Sequence, residues 1–206
     1  MQTLQNLSLL AVYGRRRVGK TFLIKQTFNE SFDFWFTGMY ETPRSVQLQQ
    51  FGKALSKYSQ KEIKTPKDWF EAFDKLQDYL LSLGKEKVIV FLDELPWLDT
   101  KKGNFLPAFS YFWNMWASSQ TQIKLFACGS ATTWMLDKFV GDKGGLYGRT
   151  SHTVYLEPFS LAETEAFLRD IKQIDLSRKQ ITELYMIVGG IPYYLDMLDR
   201  DLPLYS

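Results

Sequence analysis

The sequence predicts an α/β fold, with a parallel, doubly wound sheet, and three observations lead there. Apolar runs of strand length alternate with segments of helical periodicity. One run, "KVIVFLDE", is continuous and rich in β-branched residues, as in a parallel strand buried on both faces. The first run ends in a loop bounded by Gly14 and Gly19, directly before a helical segment.

The elements follow in chain order. "LLAVY", Leu9 to Tyr13, is the first strand, and a helix runs from Lys20 to Gln26. "FDFWFTG" is the second strand, ended by Gly38, and a polar helical segment lies around Ser45 to Tyr58. The next helix has Thr65 as its cap, Pro66 in the first helical position and Asp68 three residues after the cap. Trp69, Phe73, Leu76, Leu80 and Leu83 share one of its faces, and Gly84 stops it. "KVIVFLDE" is the third strand, "IKLFACGS" the fourth and "HTVYLEP" the fifth. Between the third and fourth, Phe105, Phe109, Phe112, Trp113 and Trp116 form another helical stripe. After Pro158, Ser160 and Glu163 make a capping box, and helix is expected from there to the end of the chain. Within it, Gly189-Gly190 marks a tight junction and Pro192 starts a new helix.

Composition narrows the class of function. At 206 residues, with 45% hydrophobic and 16% aromatic side chains, the chain can bury a substantial core. A formal charge of +2 is too small to argue for nucleic acid or an acidic membrane surface. One cysteine, Cys128, cannot form an internal disulfide and reads as an inert core residue; one histidine, His152, cannot build a His-rich zinc site. No stretch reaches the roughly 18 uncharged apolar residues of a membrane span, and the N-terminus lacks the features of a secretion signal. The expected compartment is the cytoplasm, with no membrane partner.

The chemistry concentrates in a few short stretches. "GRRRVGKT" matches G-x-x-x-x-G-K-[ST] in full, between a strand and a helix. Glycines allow such a loop to turn successive backbone N–H groups toward phosphate oxygens, and the helix N-terminus adds partial positive charge. The expected nucleotide-binding set is Gly14, Arg15, Arg16, Arg17, Val18, Gly19, Lys20 and Thr21, with the adjoining Phe22. Lys20 should reach the β- and γ-phosphates, and the Thr21 hydroxyl should bind Mg²⁺. The three arginines fill the free positions and project outward, toward solvent, a neighbouring subunit or the nucleotide edge. Asp93, at the tip of the third strand, is placed to position the metal, and Glu94 to polarise an attacking water. No Asn-Lys-x-Asp segment that would read guanine occurs, which favours ATP. Ser130, just past the fourth strand, either orients the water and senses the γ-phosphate or caps a helix; Thr132 is a weaker substitute. Arg149, in "GGLYGRT", is either an arginine finger or a solvated or ion-paired loop residue. Trp97 lies close behind Asp93 and Glu94 and is set apart from the other tryptophans, which follow core stripes.

The ordered series "YGRRRVGKTFLI", "VIVFLDELPWLD", "LFACGSATTWM", "GGLYGR", "LEPFSLAE" and "GGIPYYL" resembles the archaeal-type ATPase family of prokaryotic ATP-binding proteins, P-loop enzymes related to the AAA+ and STAND groups. The resemblance spans Leu9 to Leu198. It implies a three-layer P-loop NTPase sandwich with strand order 5-1-4-3-2, a nucleotide-binding core at 1–158 and a helical lid segment at 159–206. It makes Lys20 and Thr21 the Walker A residues, Asp93 and Glu94 the Walker B pair, Ser130 the sensor position and Arg149 the finger-like position, through which copies of the chain would associate. Pro192, in Gly190-Ile191-Pro192, would approach the adenine. The implied function is Mg²⁺-dependent ATP hydrolysis as a switch or motor module. The alternatives are a regulatory nucleotide-binding module with little turnover and a small-molecule phosphotransferase. Relatives carry a Phe-x-Gly-Arg-like segment ahead of the loop that the 13 residues before Gly14 lack. They also carry winged-helix and nuclease-like domains, absent from this sequence, through which any protein client or nucleic acid would be engaged.

Overall fold

A computed structural model describes residues 8–141, 146 and 150–199. Five strands, β1 (Leu9–Tyr13), β2 (Phe34–Thr37), β3 (Val88–Asp93), β4 (Ile123–Gly129) and β5 (His152–Tyr155), form one sheet in the order β2-β3-β4-β1-β5. Every pairing is parallel, so each connection crosses over the sheet and all five C-terminal ends lie along one edge. The expected order is the one observed.

Helices cover both faces. On one face lie α2 (Arg44–Ser59), α3 (Trp69–Ser82) and α5 (Phe105–Met115), with Phe51, Trp69, Phe73 and Phe109 buried against Val88, Val90 and Leu92 of β3. On the other lies α1 (Lys20–Thr27), whose Ile24 meets Val12, Phe91, Phe126 and Cys128. Phe91 faces one layer and its neighbours Val90 and Leu92 the other, which is why β3 reads as an unbroken apolar run. Cys128 is a core residue as expected, and burial pushes its thiol well above its ordinary pKa.

One boundary is corrected. The cap of α3 is Asp68, not Thr65: the Asp68 carboxylate accepts from the Glu71 amide at 2.9 Å, while Glu71 accepts from the Lys67 amide at 2.9 Å. Helix therefore begins at Trp69, and Pro66 packs beside Gly52 of α2 rather than opening α3. The stripe from Trp69 to Leu80 is buried as the periodicity requires.

Two short helices complete the sheet edge: α4 (Leu95–Leu98) after β3, and α6 (Thr132–Trp134), which continues into a π-helical turn over Met135–Val140. Beyond β5 come α7 (Leu161–Ala166), α8 (Arg178–Val188) and α9 (Pro192–Asp196). The Ser160–Glu163 capping box is formed, and Ser177 with Gln180 makes a second one at α8. Pro192 stands in the first turn of α9. Among the described residues, no helix is long and apolar enough to cross a membrane.

Candidate functional site

The loop from Gly14 to Gly19 links the C-terminal end of β1 to the start of α1. Gly14 takes φ +150°, and a Cβ there would stand 2.2 Å from the Leu156 carbonyl oxygen, so only glycine lets the chain leave β1 beside β5. Gly19 occupies the N-cap of α1 without any side-chain cap, which leaves the first-turn amides free to face an anion. Val18 is buried and anchors the loop. Lys20 is 5% exposed, and its ammonium donates to the Gly14 carbonyl at 3.1 Å and the Arg15 carbonyl at 2.8 Å. A buried ammonium satisfied only by loop carbonyls stands where phosphate oxygens would lie in a loop of this shape.

The acidic end of β3 lies directly beneath. Asp93 is 4% exposed; its Oδ2 accepts from the Thr21 hydroxyl at 2.9 Å and its Oδ1 from the Glu94 amide at 3.0 Å. Burial pushes the Asp93 carboxyl above its ordinary pKa, and the Thr21 hydrogen bond pulls partly the other way. No group of three or more His, Cys, Asp or Glu side chains that could cage a metal occurs among the described residues. The hydroxyl–carboxylate pair suits Mg²⁺, which takes few protein ligands and fills its shell with water and phosphate oxygens.

Glu94 follows at φ +50°, in the left-handed region, an uncommon conformation for a non-glycine residue and one that clusters at working sites. Its Oε2 accepts two hydrogen bonds from Ser130, 2.8 Å from the hydroxyl and 3.1 Å from the amide. The pairing of β3 with β4 places Leu92 opposite Ala127, which brings the two strand ends together. Ser130 is not a helix cap, since the N-cap of α6 is Ala131.

The three exposed arginines diverge. Arg15 lines, with Arg16, Arg17, Ile191 and Tyr194, a second cavity of about 370 Å³. The Arg16 guanidinium lies 5.3 Å from the Trp97 ring centroid and 5.7 Å from that of Tyr40. Arg17 takes a different pair of rings, 4.8 Å from that of Tyr193 and 5.2 Å from that of Tyr194, and it donates to the Tyr194 hydroxyl. Arg149 lies outside the described residues.

The C-terminal helices stand over this loop. Gly190 takes φ +66°, and a Cβ would meet the Phe159 carbonyl oxygen at 2.0 Å. The Phe159 amide donates to the Gly190 carbonyl at 2.9 Å, which fixes the turn into α9 against the chain leaving β5. The cleft between loop and helices has a volume of about 500 Å³, room enough for a nucleotide. Lys20, Thr21, Phe22 and Glu94 line one side, and Phe167, Ile171, Pro192, Tyr193 and Asp196 the other.

Lys20, Thr21, Asp93, Glu94 and Ser130 thus converge, and Pro192 faces them across the cleft. Sequence reasoning missed Tyr40, Phe167, Ile171 and Asp196, which carry no local signal. It also missed Gln47, fully buried in α2, which accepts from the Met39 amide at 3.1 Å and donates to the Met39 and Trp97 carbonyls at 2.7 and 3.0 Å. That side chain ties the segment after β2 to the segment after β3 and so holds the seat of Arg16.

Comparison with known proteins is consistent with this geometry. Residues 3–198 match a family described as an ATPase domain predominantly from Archaea. An uncharacterized protein of Methanocaldococcus jannaschii is 27% identical over 205 residues, covering 96% of this chain and 42% of its own length. Among solved structures, the Walker-type ATPase PABY2304 of Pyrococcus abyssi superposes with a TM-score of 0.58 at 22% identity, over 94% of this chain and 62% of the other. The Drosophila ORC bound to DNA gives a TM-score of 0.49 at 15% identity, over 78% and 88%. The chain thus spans less than half the length of the curated relative it matches.

Proposed function

The chain belongs to the family of ATPase domains predominantly from Archaea, and on that premise we propose that it binds ATP with Mg²⁺ along residues 14–22 and hydrolyses the β–γ bond as a conformational switch. The observation that carries this reading is the hydrogen-bonded series Thr21, Asp93, Glu94 and Ser130, which begins beside the buried Lys20. Bound Mg²⁺–ATP would supply a terminal phosphoryl group open to in-line attack by water. The loop amides and the Lys20 ammonium bind the phosphates, and Thr21 with Asp93 holds the cation. Glu94 orients the water and takes its proton at Oε1, the oxygen that Ser130 leaves open. Ser130 fixes the carboxylate while it does so. Residues 159–199 act as a lid over the core, with Pro192 and Tyr193 closing on the base.

A second reading, a nucleotide-binding module with little turnover, is favoured by the Ser130 grip itself, since two hydrogen bonds to one oxygen tie the Glu94 side chain to the end of β4. Binding of ATP and release of phosphate, measured on wild type, Lys20→Ala and Glu94→Gln, separates the two. Hydrolysis requires that wild type release phosphate, that Lys20→Ala lose binding, and that Glu94→Gln bind while turnover falls by about 10² to 10⁴. Tight binding by wild type without phosphate release supports the second reading, and no binding at all rejects both.

A further inference from the structure

Arg16 is an exposed cation that makes no ion pair among the described residues, yet it is held in one place by two aromatic rings. Those rings belong to different crossovers: Tyr40 follows β2 and Trp97 lies in α4, just beyond β3. Their own centroids are 5.6 Å apart at 67°, an edge-to-face pair, so Arg16 rests on a built platform rather than on a chance neighbour. Gln47 fixes that platform from beneath through its bonds to Met39 and to the Trp97 carbonyl.

The platform has a definite place relative to the phosphate path. The Trp97 amide donates to the Glu94 carbonyl at 3.0 Å, which puts the ring one helical turn from the acidic tip of β3. The opposite arm of the loop, Arg17, reaches the α9 side, where Pro192 and Tyr193 line the cleft. A triphosphate lying along the loop with its base toward α9 would end on the Glu94 side, and Arg16 is an exposed cation seated on the ring of Trp97, one helical turn from Glu94. Its side chain carries several rotatable bonds, and a solvent-exposed cation–π contact is weak enough to be exchanged for a phosphate oxygen.

We propose that Arg16 contacts the terminal phosphate in cis, in addition to Lys20, parked on Trp97 and Tyr40 in the nucleotide-free protein and drawn from them by ATP but not by ADP. This rests on the ATP-binding reading above. Trp97 and Tyr40 are positioning residues that keep the guanidinium near its target.

The test is equilibrium binding of a slowly hydrolysed ATP analogue and of ADP, with Mg²⁺, to wild type, Arg16→Ala and Arg16→Lys. Melting of the nucleotide-free variants checks the fold. Arg16→Ala is expected to weaken binding of the ATP analogue by about 10- to 100-fold while leaving ADP within about twofold, and Arg16→Lys to recover part of the loss. The emission of Trp97, taken as the difference between wild type and Trp97→Phe, should change with the ATP analogue and not with ADP. Equal weakening of both nucleotides, or of neither, overturns the assignment while wild-type binding of ATP stands. A Trp97 emission that fails to distinguish the nucleotides overturns the release from the platform. Wild type that binds neither nucleotide overturns the ATP-binding reading, and this proposal with it.

Discussion

The two sides of the candidate nucleotide cleft are packed to very different depths. Around the sheet, Phe34, Phe51, Trp69, Phe73, Phe105, Phe109 and Trp113 are fully buried in one continuous cluster, edge and face against one another. In the C-terminal helices the buried apolar cluster is Leu168, Ile174 and Leu195, while Met186 and Ile187 of α8 are 80% and 82% exposed. Apolar burial stabilises by about 25 cal/mol per Å², so the sheet side is the rigid one and the helical side the one that opens first. The helical side is tied to the loop chiefly at Arg17, with its two tyrosine rings, and to the chain after β5 at Gly190. A part that must close on a ligand and release it is drawn from the weakly held end of the stability range. The difference in packing therefore fits the proposed roles of frame and lid.

The contrast can be broken most forcefully in the core. Phe73→Ala leaves a cavity among Phe51, Trp69, Phe105 and Phe112 and should cost about 3–5 kcal/mol of global stability, read by denaturant unfolding. Leu195→Ala should instead speed hydrogen exchange of the α8 and α9 amides and leave those of β3 and β4 unchanged. Global loss in both variants would mean that the helices and the sheet unfold as one unit.

A smaller effect sharpens the tie between the halves. Arg17→Ala removes two cation–π contacts and the bond to the Tyr194 hydroxyl, and should loosen α9 by about 1–2 kcal/mol in nucleotide-free protein. Faster exchange confined to the α9 amides is the expected signature.

The mildest effect separates fold from function inside the frame. Burial holds the Asp93 carboxyl above its ordinary pKa, so as pH rises the unfolded chain releases its proton first and the folded state loses stability across that interval. The nucleotide-free Asp93→Asn variant should accordingly be the more stable at neutral pH, with the gap closing as pH falls toward about 4. Urea unfolding of both proteins across that range measures it, and an equal or lower stability of Asp93→Asn at neutral pH would refute it.

Much of this molecule is legible without coordinates because the signals are local. The run Val88 to Asp93 names a strand buried on both faces, the stripe from Trp69 to Leu80 names one face of a helix, and Ser160 with Glu163 closes a capping box within four residues. The loop from Gly14 to Thr21 is equally local, since backbone shape and helix start are both written within eight residues. Even the misplaced start of α3, Thr65 for Asp68, is a shift of three residues, decided by the Asp68 carboxylate that reaches the Glu71 amide.

What joins distant segments belongs to the tertiary structure. Glu94 and Ser130 are 36 residues apart, Thr21 and Asp93 72, and Arg17 and Tyr194 177; sheet order and helix packing alone bring them to one edge. The sequence by itself therefore determined the elements, the phosphate loop and the identity of its acids. Only the folded chain decided that Ser130 grips Glu94, that Arg16 rests on Tyr40 and Trp97 while Arg17 rests on Tyr193 and Tyr194, and that Phe167, Ile171 and Asp196 line the cleft. The physical reason is that backbone conformation and apolar periodicity act over a few residues, whereas the direction of a long side chain is set by whichever rings and charges the fold packs beside it.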